Sequence, residues 1–220
     1  MVNRWTGRLA AFMGVALVIC GASPARAFQS GRRAPDLFAE IYARGDAKKQ
    51  RMRSLRARFT ETTTSTLLTT PIVAHGTVVA AAPARVLMTY TDPEPKILAM
   101  DGKTLTIVYT TRQERQQINI SEIQKRIDQY FTSATVNQLR SMFDIVARPD
   151  ATMTRADLVA MTPKRKPIKE GLERLELWID RESDLLTQMR FSFPGGDQKT
   201  MTLEDVVENV VVSDEMFKIK

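Results

Sequence analysis

The sequence predicts a mainly β (α+β) fold. About ten antiparallel strands in one domain curl towards a barrel or half-barrel, with a few amphipathic helices across its open mouth as a plug or lid. Three observations predict it. From residue 55 to 119 the apolar pattern has a period of two and is broken at short intervals by proline and glycine turns. The same pattern returns from residue 158 onward. Only the stretches near residues 35–54 and 121–143 carry a helical period. Sequential strands joined by short turns make an antiparallel meander.

The 220 residues suit one domain with a sizeable core. Residues 1–27 stand apart. Arg4 and Arg8 precede an apolar run at 9–20, the length of a signal-peptide h-region and too short for a ~30 Å bilayer core. Pro24 and then Ala25-Arg26-Ala27 supply a small-x-small cleavage pattern. The expectation is a signal peptide at 1–27, removed on export, and one mature domain at 28–220. No twin arginine precedes the apolar run, which points to export unfolded. Ile19 is too large for a lipidation signal at Cys20, and Cys20 departs with the peptide. The mature chain then has no cysteine for disulfides, thiol catalysis or metal sites. The whole chain carries +7; without residues 1–27, 29 basic residues face 25 acidic ones, about +4. Such mild basicity suits anionic membrane surfaces or acidic partners. No dense basic stripe is interleaved with aromatics, so nucleic acid is not an expected partner.

The elements follow in order. Pro35 opens a helix with Leu37, Phe38, Ile41 and Tyr42 on one stripe and Asp36 in its first turn; Gly45 weakens it or ends its first half. From Leu55 the period becomes two, with Ala57, Phe59 and Glu61 alternating against Arg58, Thr60 and Thr62. The threonine-rich run at 60–70 reads as β-prone with a polar face. Pro71 separates it from a strand at 72–82, which Pro83 ends. A third strand, 85–91, places Val86, Met88 and Tyr90 on one face. Asp92-Pro93-Glu94-Pro95 is a rigid turn, 97–100 a fourth strand, and Asp101-Gly102 a hairpin signal. A fifth strand, 104–110, aligns Leu105, Ile107 and Tyr109, and 112–119 is a polar sixth.

Ser121 with Gln124 resembles a capping box that opens a helix, whose stripe is Ile120, Ile123, Ile127, Tyr130 and Phe131. A second short helix at 136–143 presents Val136, Leu139, Met142 and Phe143. Strands are then expected at 158–162, 172–180, 186–193, 199–207 and 210–212, with PKRKPIK (163–169) as a basic loop.

Little in the chain suggests catalysis. His75 is the only histidine, and no G-x-S-x-G, H-E-x-x-H, P-loop or G-x-G-x-x-G occurs. Asp92/Glu94 and Asp180/Glu182/Asp184 sit on turn signals, where solvated acids are expected rather than a glycosidase pair. The protein is therefore not expected to be an enzyme or to carry a cofactor or metal.

Residues 55–110 resemble the outer-membrane lipoprotein carrier (LolA-like) family. The resemblance rests on Phe59-Thr60-Glu61, on a strand between Gly76 and Pro83, on an aromatic strand closed by Pro93, and on Asp101-Gly102-Lys103-Thr104-Leu105 followed by Tyr109. Phe217 also resembles the family's terminal phenylalanine. The resemblance implies an incomplete, highly curved antiparallel β-barrel of about 10–11 strands, with a helical lid over a hydrophobic cavity. It implies a monomeric periplasmic carrier of acylated lipoprotein or lipid cargo, passing from an inner-membrane release complex to an outer-membrane acceptor. The cargo surface it implies is Val86, Met88, Tyr90, Leu98 and Met100, extended by Phe59, Leu105 and Ile107; the lid is Ile123, Ile127, Phe131 and Leu139. The pliable Met88 and Met100 suit a surface that must hold acyl chains and release them. A lipid-binding or sensing module of the same fold, acting through a protein partner, is the alternative. Two departures stand out. The family's lid-latching arginine falls at Ala82, with Arg85 nearby, and the family's C-terminal extension has no counterpart after Phe217.

Overall fold

In the computed structural model, the described residues are 36–128 and 134–219. The expected signal peptide at 1–27, Tyr130 of the expected helix stripe and Phe131 of the expected lid lie outside them.

The first helix among the described residues, α1 (Leu37–Arg51), begins two residues later than its proline suggested. Asp36 is its N-cap, and Oδ1 accepts from the Ala39 amide at 3.2 Å. Lys48, Lys49 and Arg51 occupy the last turn, where the helix dipole favours cations. Gly45 does not interrupt it. Phe38, Ile41 and Tyr42 are buried, and that anchorage outweighs the ~1 kcal/mol propensity cost of one glycine.

A first meander follows: β1 (Ser54–Thr64), β2 (Ile72–Ala81), β3 (Arg85–Asp92), β4 (Lys96–Met100), β5 (Thr104–Tyr109) and β6 (Glu114–Asn119). Helices α2 (Ser121–Ile127) and α3 (Val136–Met142) come next. A second meander comprises β7 (Phe143–Pro149), β8 (Ala156–Pro163), β9 (Arg174–Asp180), β10 (Leu186–Ser192) and β11 (Gln198–Glu208). One helical turn, α4 (Lys166–Lys169), joins β8 to β9, and a 3-10 turn (Asp214–Phe217) follows β11.

All eleven strands form one antiparallel sheet in the order β6-β5-β4-β3-β2-β1-β11-β10-β9-β8-β7. Pairing of β1 with β11 welds the two meanders at the centre, so β6 and β7 are the free edges and the barrel does not close. Helices α2 and α3 connect one free edge to the other. This is the incomplete barrel with a helical cover that the sequence suggested.

Several elements differ from expectation. Strand β7 replaces a stretch read without a strand. Its Phe143, expected to end a helix, is fully buried and starts the strand instead. β1 stops at Thr64, and residues 65–71 turn through solvent with Leu67 80% exposed. The strand expected at 210–212 does not form, and Val211 is fully exposed. The basic loop contains α4, with proline in its first turn. The capping box belongs to α3 rather than α2. Thr135 accepts from the Gln138 amide at 3.3 Å and Gln138 returns the bond at 2.7 Å. At α2 the cap residue is Ile120, and the Asn119 side chain serves the Ser121 amide instead, at 2.9 Å.

Gly102 adopts φ +87° in the β4–β5 hairpin, and Asp101 Oδ1 accepts from the amides of Lys103 (2.9 Å) and Thr104 (2.8 Å). That turn sets the register Met100 to Leu105 and Leu98 to Ile107, which keeps the apolar residues of both strands on one face.

Candidate functional site

The inner face is built by cross-strand rows, with neighbouring strands ~4.8 Å apart. Ala57, Val78, Met88, Leu98 and Ile107 are successive partners across β1 to β5. Ala80, Val86, Met100 and Leu105 form a second row. Phe59, Gly76, Tyr90, Lys96 and Tyr109 form a third. Across the central pairing, Phe59 meets Leu203, and Glu61 meets Met201, which continues to Met189. The inner face therefore runs from one meander into the other, through Phe59 and Leu203 and past Glu61 to Met201.

All eight residues expected to contact cargo lie on this surface. Phe59, Val86, Met88, Tyr90, Leu98, Met100, Leu105 and Ile107 are 1–7% exposed and share one hydrophobic cluster. Of the expected lid residues, Ile127 and Leu139 are buried in the same cluster, and Ile123 packs against it half-buried. Phe131 is outside the described residues.

Helix α1 is the part of the cover that the lid expectation omitted. Its Phe38, Ile41 and Tyr42 belong to the same cluster. The signal was present in the stripe of apolar residues already read there; only the sheet beneath it was missing. Tyr42 donates to the Ala134 carbonyl at 2.7 Å, which joins α1 to the start of α3. Arg140 of α3 pairs with Asp36 at 2.6 Å and lies 5.6 Å over the Phe38 ring. The Arg140 hydrogen bond holds the Asp36 carboxyl below its usual range. At the other end, Arg44 reaches Asp184 (2.7 Å) and Asp157 (3.5 Å), and Lys48 reaches Glu208 (2.6 Å). The cover is thus apolar beneath and fastened by polar contacts.

Charge interrupts the apolar face around Glu61. Glu61 is 6% exposed, accepts from Lys199 at 2.6 Å on one oxygen and from the Tyr90 hydroxyl at 3.0 Å on the other. Burial, and then the charge of Glu61, push the Tyr90 phenol far above its usual range, so it stays a donor. Phe59 packs edge-on to Tyr90 at 4.9 Å between ring centres. Lys96 sits 4.6 Å over the other side of this arrangement, on the Tyr90 ring. Sequence reasoning treated Glu61 as one more alternating residue; its partners come from β3 and β11, distant in sequence.

Arg85 answers the question raised by Ala82. It donates to the Asp214 carboxylate and to the Ala82 carbonyl (3.0 Å), and its guanidinium lies 5.1 Å over the Phe217 ring. Phe217 is 4% exposed. Arg85 thus ties down the C-terminal turn, and among the described residues its polar and ring contacts go to that turn and to Ala82 rather than to α1, α2 or α3. Replacing Arg85 by Met should release residues 214–217 by about 1 kcal/mol, the scale of a part-exposed ion pair with a cation–π contact. Faster amide exchange confined to that turn is the expected readout; unchanged exchange would mean the turn is held by Phe217 alone.

An open antiparallel sheet with an apolar inner face, covered by helices that lie between its free edges, defines an incomplete barrel with a helical lid. The sequence pattern of the outer membrane lipoprotein carrier protein LolA matches residues 50–220, and the chain belongs to that family. Among solved structures it is similar to the Mycobacterium tuberculosis lipoprotein LppX, with TM-score 0.53 and 15% identity over 82% of this chain and 99% of that one. It is also similar to an uncharacterized conserved protein from Thermus thermophilus, with TM-score 0.53 and 9% identity over 82% of this chain and 93% of that one. At those identities the likeness is one of fold. A comparison with curated proteins gives no match.

Proposed function

We propose that this protein is a carrier, not an enzyme. It shields acyl chains of lipoproteins, or of a related lipid cargo, on its inner face while they pass from the inner to the outer membrane. The observation that carries this reading is the row Val78–Met88–Leu98–Ile107, continuous with its neighbours and covered by helices rather than by a second sheet. Membership of the carrier family supports it. Export by the signal peptide at 1–27 into the periplasm, a monomeric state, and docking to an inner-membrane release complex and an outer-membrane acceptor complete the proposal.

The energetics set the design. Burying a methylene is worth ~0.8 kcal/mol, so one acyl chain carries on the order of 10 kcal/mol. A bilayer offers a similar amount, so the carrier must bind about as well and no better. The cover of α1, α2 and α3 over the face helps meet that condition. The helices' own apolar contacts must be given up before cargo enters, which subtracts from its affinity. The polar ties add little, since exposed pairs such as Arg140–Asp36 contribute ~0–1 kcal/mol.

A photo-crosslinking residue at Met88 or Leu98, in the full chain expressed in its native envelope, should capture an acylated adduct detectable by mass spectrometry. A clean, unmodified protein at both positions would sink the proposal. An adduct from a protein that never passes lipid between vesicles would turn it into the sensing alternative.

A further inference from the structure

The third inner-face row contains a charge. Lys96 lies between Tyr90 and Tyr109 in register, two residues from Leu98 on the same face of β4. Its ammonium stands 4.6 Å over the Tyr90 ring. Both carboxylates that act on it are engaged elsewhere. Glu61 is taken by Lys199 (2.6 Å) and Tyr90 (3.0 Å), and Glu94 pairs with Arg112 at 2.8 Å. Arg112 itself lies 4.3 Å over the Tyr109 ring. Arg112 also reaches Glu114 at 3.9 Å, so the carboxylates Glu61, Glu94 and Glu114 are all paired with Lys199 or Arg112 rather than with Lys96. Among the described residues, Lys96 makes no ion pair. Burial pushes its ammonium below the usual lysine range, with Glu61 and Glu94 pulling the other way. A half-buried cation without a counter-ion is costly, and an arriving anion relieves that cost.

We infer that Lys96, backed by Lys199 and Arg112, is a head-group subsite for the anionic oxygens of an amphiphile whose acyl chain lies over Leu98 and Met88. The inference rests on the carrier reading and adds the ligand's charge to it. The cation and the apolar rows share one surface, so a ligand with one anionic end and one greasy end satisfies both. A purely structural lysine would be expected to reach a carboxylate, and here both neighbouring carboxylates are already committed.

The test displaces a neutral fluorescent reporter, N-phenyl-1-naphthylamine, from the full mature chain. Palmitate, 1-palmitoyl-lysophosphatidate and 1-palmitoylglycerol share one acyl chain and differ in head group. The expected result is that one or both anionic ligands bind at least about tenfold more tightly than the glycerol ester. Which of the two is preferred identifies carboxylate or phosphate as the source. Lys96→Met should bring all three within about twofold of one another, and Lys96→Arg should keep the preference. Far-UV circular dichroism and melting of each variant check that it folds. Equal binding of charged and neutral ligands by the unaltered protein overturns the inference, as does a preference that survives in Lys96→Met. So does inorganic phosphate competing as well as lysophosphatidate. If no acyl compound displaces the reporter, the carrier reading itself fails.

Discussion

Gly76→Ala should abolish folding, or cost the domain about 3 kcal/mol or more, although it adds one methyl group. The cause is steric and has nowhere to relax. A Cβ at position 76 would stand 2.1 Å from the Thr89 carbonyl oxygen, 2.7 Å from Cζ of Phe59 and 2.9 Å from its Cε1. The oxygen belongs to the backbone of β3, where the ladder is fixed on both sides, with Gly76 opposite Tyr90 and Phe59. The ring is 2% exposed and wedged edge-on against Tyr90 at 4.9 Å. Moving either means giving up the pairing or the packing. The register also shifts between His75 and Gly76, so the strand is already kinked there. Soluble yield and the urea midpoint of Gly76→Ala, beside those of Val78→Ala, measure the effect. Gly76→Ala should be the worse of the two, although Val78→Ala removes atoms from the core. A Gly76→Ala midpoint equal to that of the unaltered protein would contradict the geometry.

Glu61→Ala should cost about 3–5 kcal/mol, the usual penalty for removing one partner of a buried ion pair. The Lys199 side chain, 11% exposed, would lose its carboxylate, and the Tyr90 hydroxyl would lose its acceptor. The double variant Glu61→Met with Lys199→Met should recover most of the loss, since replacing both charges with apolar groups is often neutral. Urea unfolding of the single and double variants closes this cycle. A single variant within about 1 kcal/mol of the unaltered protein would show that Lys199 escapes to water on its own.

Both predictions concern the stretch from residue 59 to 109, and they show how far sequence reasoning reached. The glycine inside the second strand, Gly76, was legible as part of a family pattern. Why it must be glycine was not, because the atoms that forbid a Cβ belong to β1 and β3. The inner-face residues were legible because alternation assigns a strand's side chains to one face without reference to anything else. All eight fell in one cluster for that reason. Phe143 was misplaced because its apolar spacing suits the end of a helix as well as the start of a strand, and only pairing with Pro163 in β8 decides between them. Val210 to Val212 form a β-branched run with high strand propensity but find no partner, and propensity without a partner does not make a strand.

The amino-acid sequence by itself determined what is local: the periods, the turns at Asp92-Pro93 and Asp101-Gly102, the faces of the strands and the apolar stripes of the helices. Tertiary structure alone decided what depends on partners far apart in the chain. It joined β1 to β11, so that residues 54–64 and 198–208 became the centre of the sheet and β6 and β7 its free edges. It laid α1 over the core despite Gly45 and turned Arg85 towards Phe217. It also brought Glu61, Tyr90, Lys96 and Lys199 together from four strands. The physical reason is the same in each case. A period records how a segment meets a surface, whereas the identity of that surface is settled by burial and charge pairing between segments that no local pattern connects.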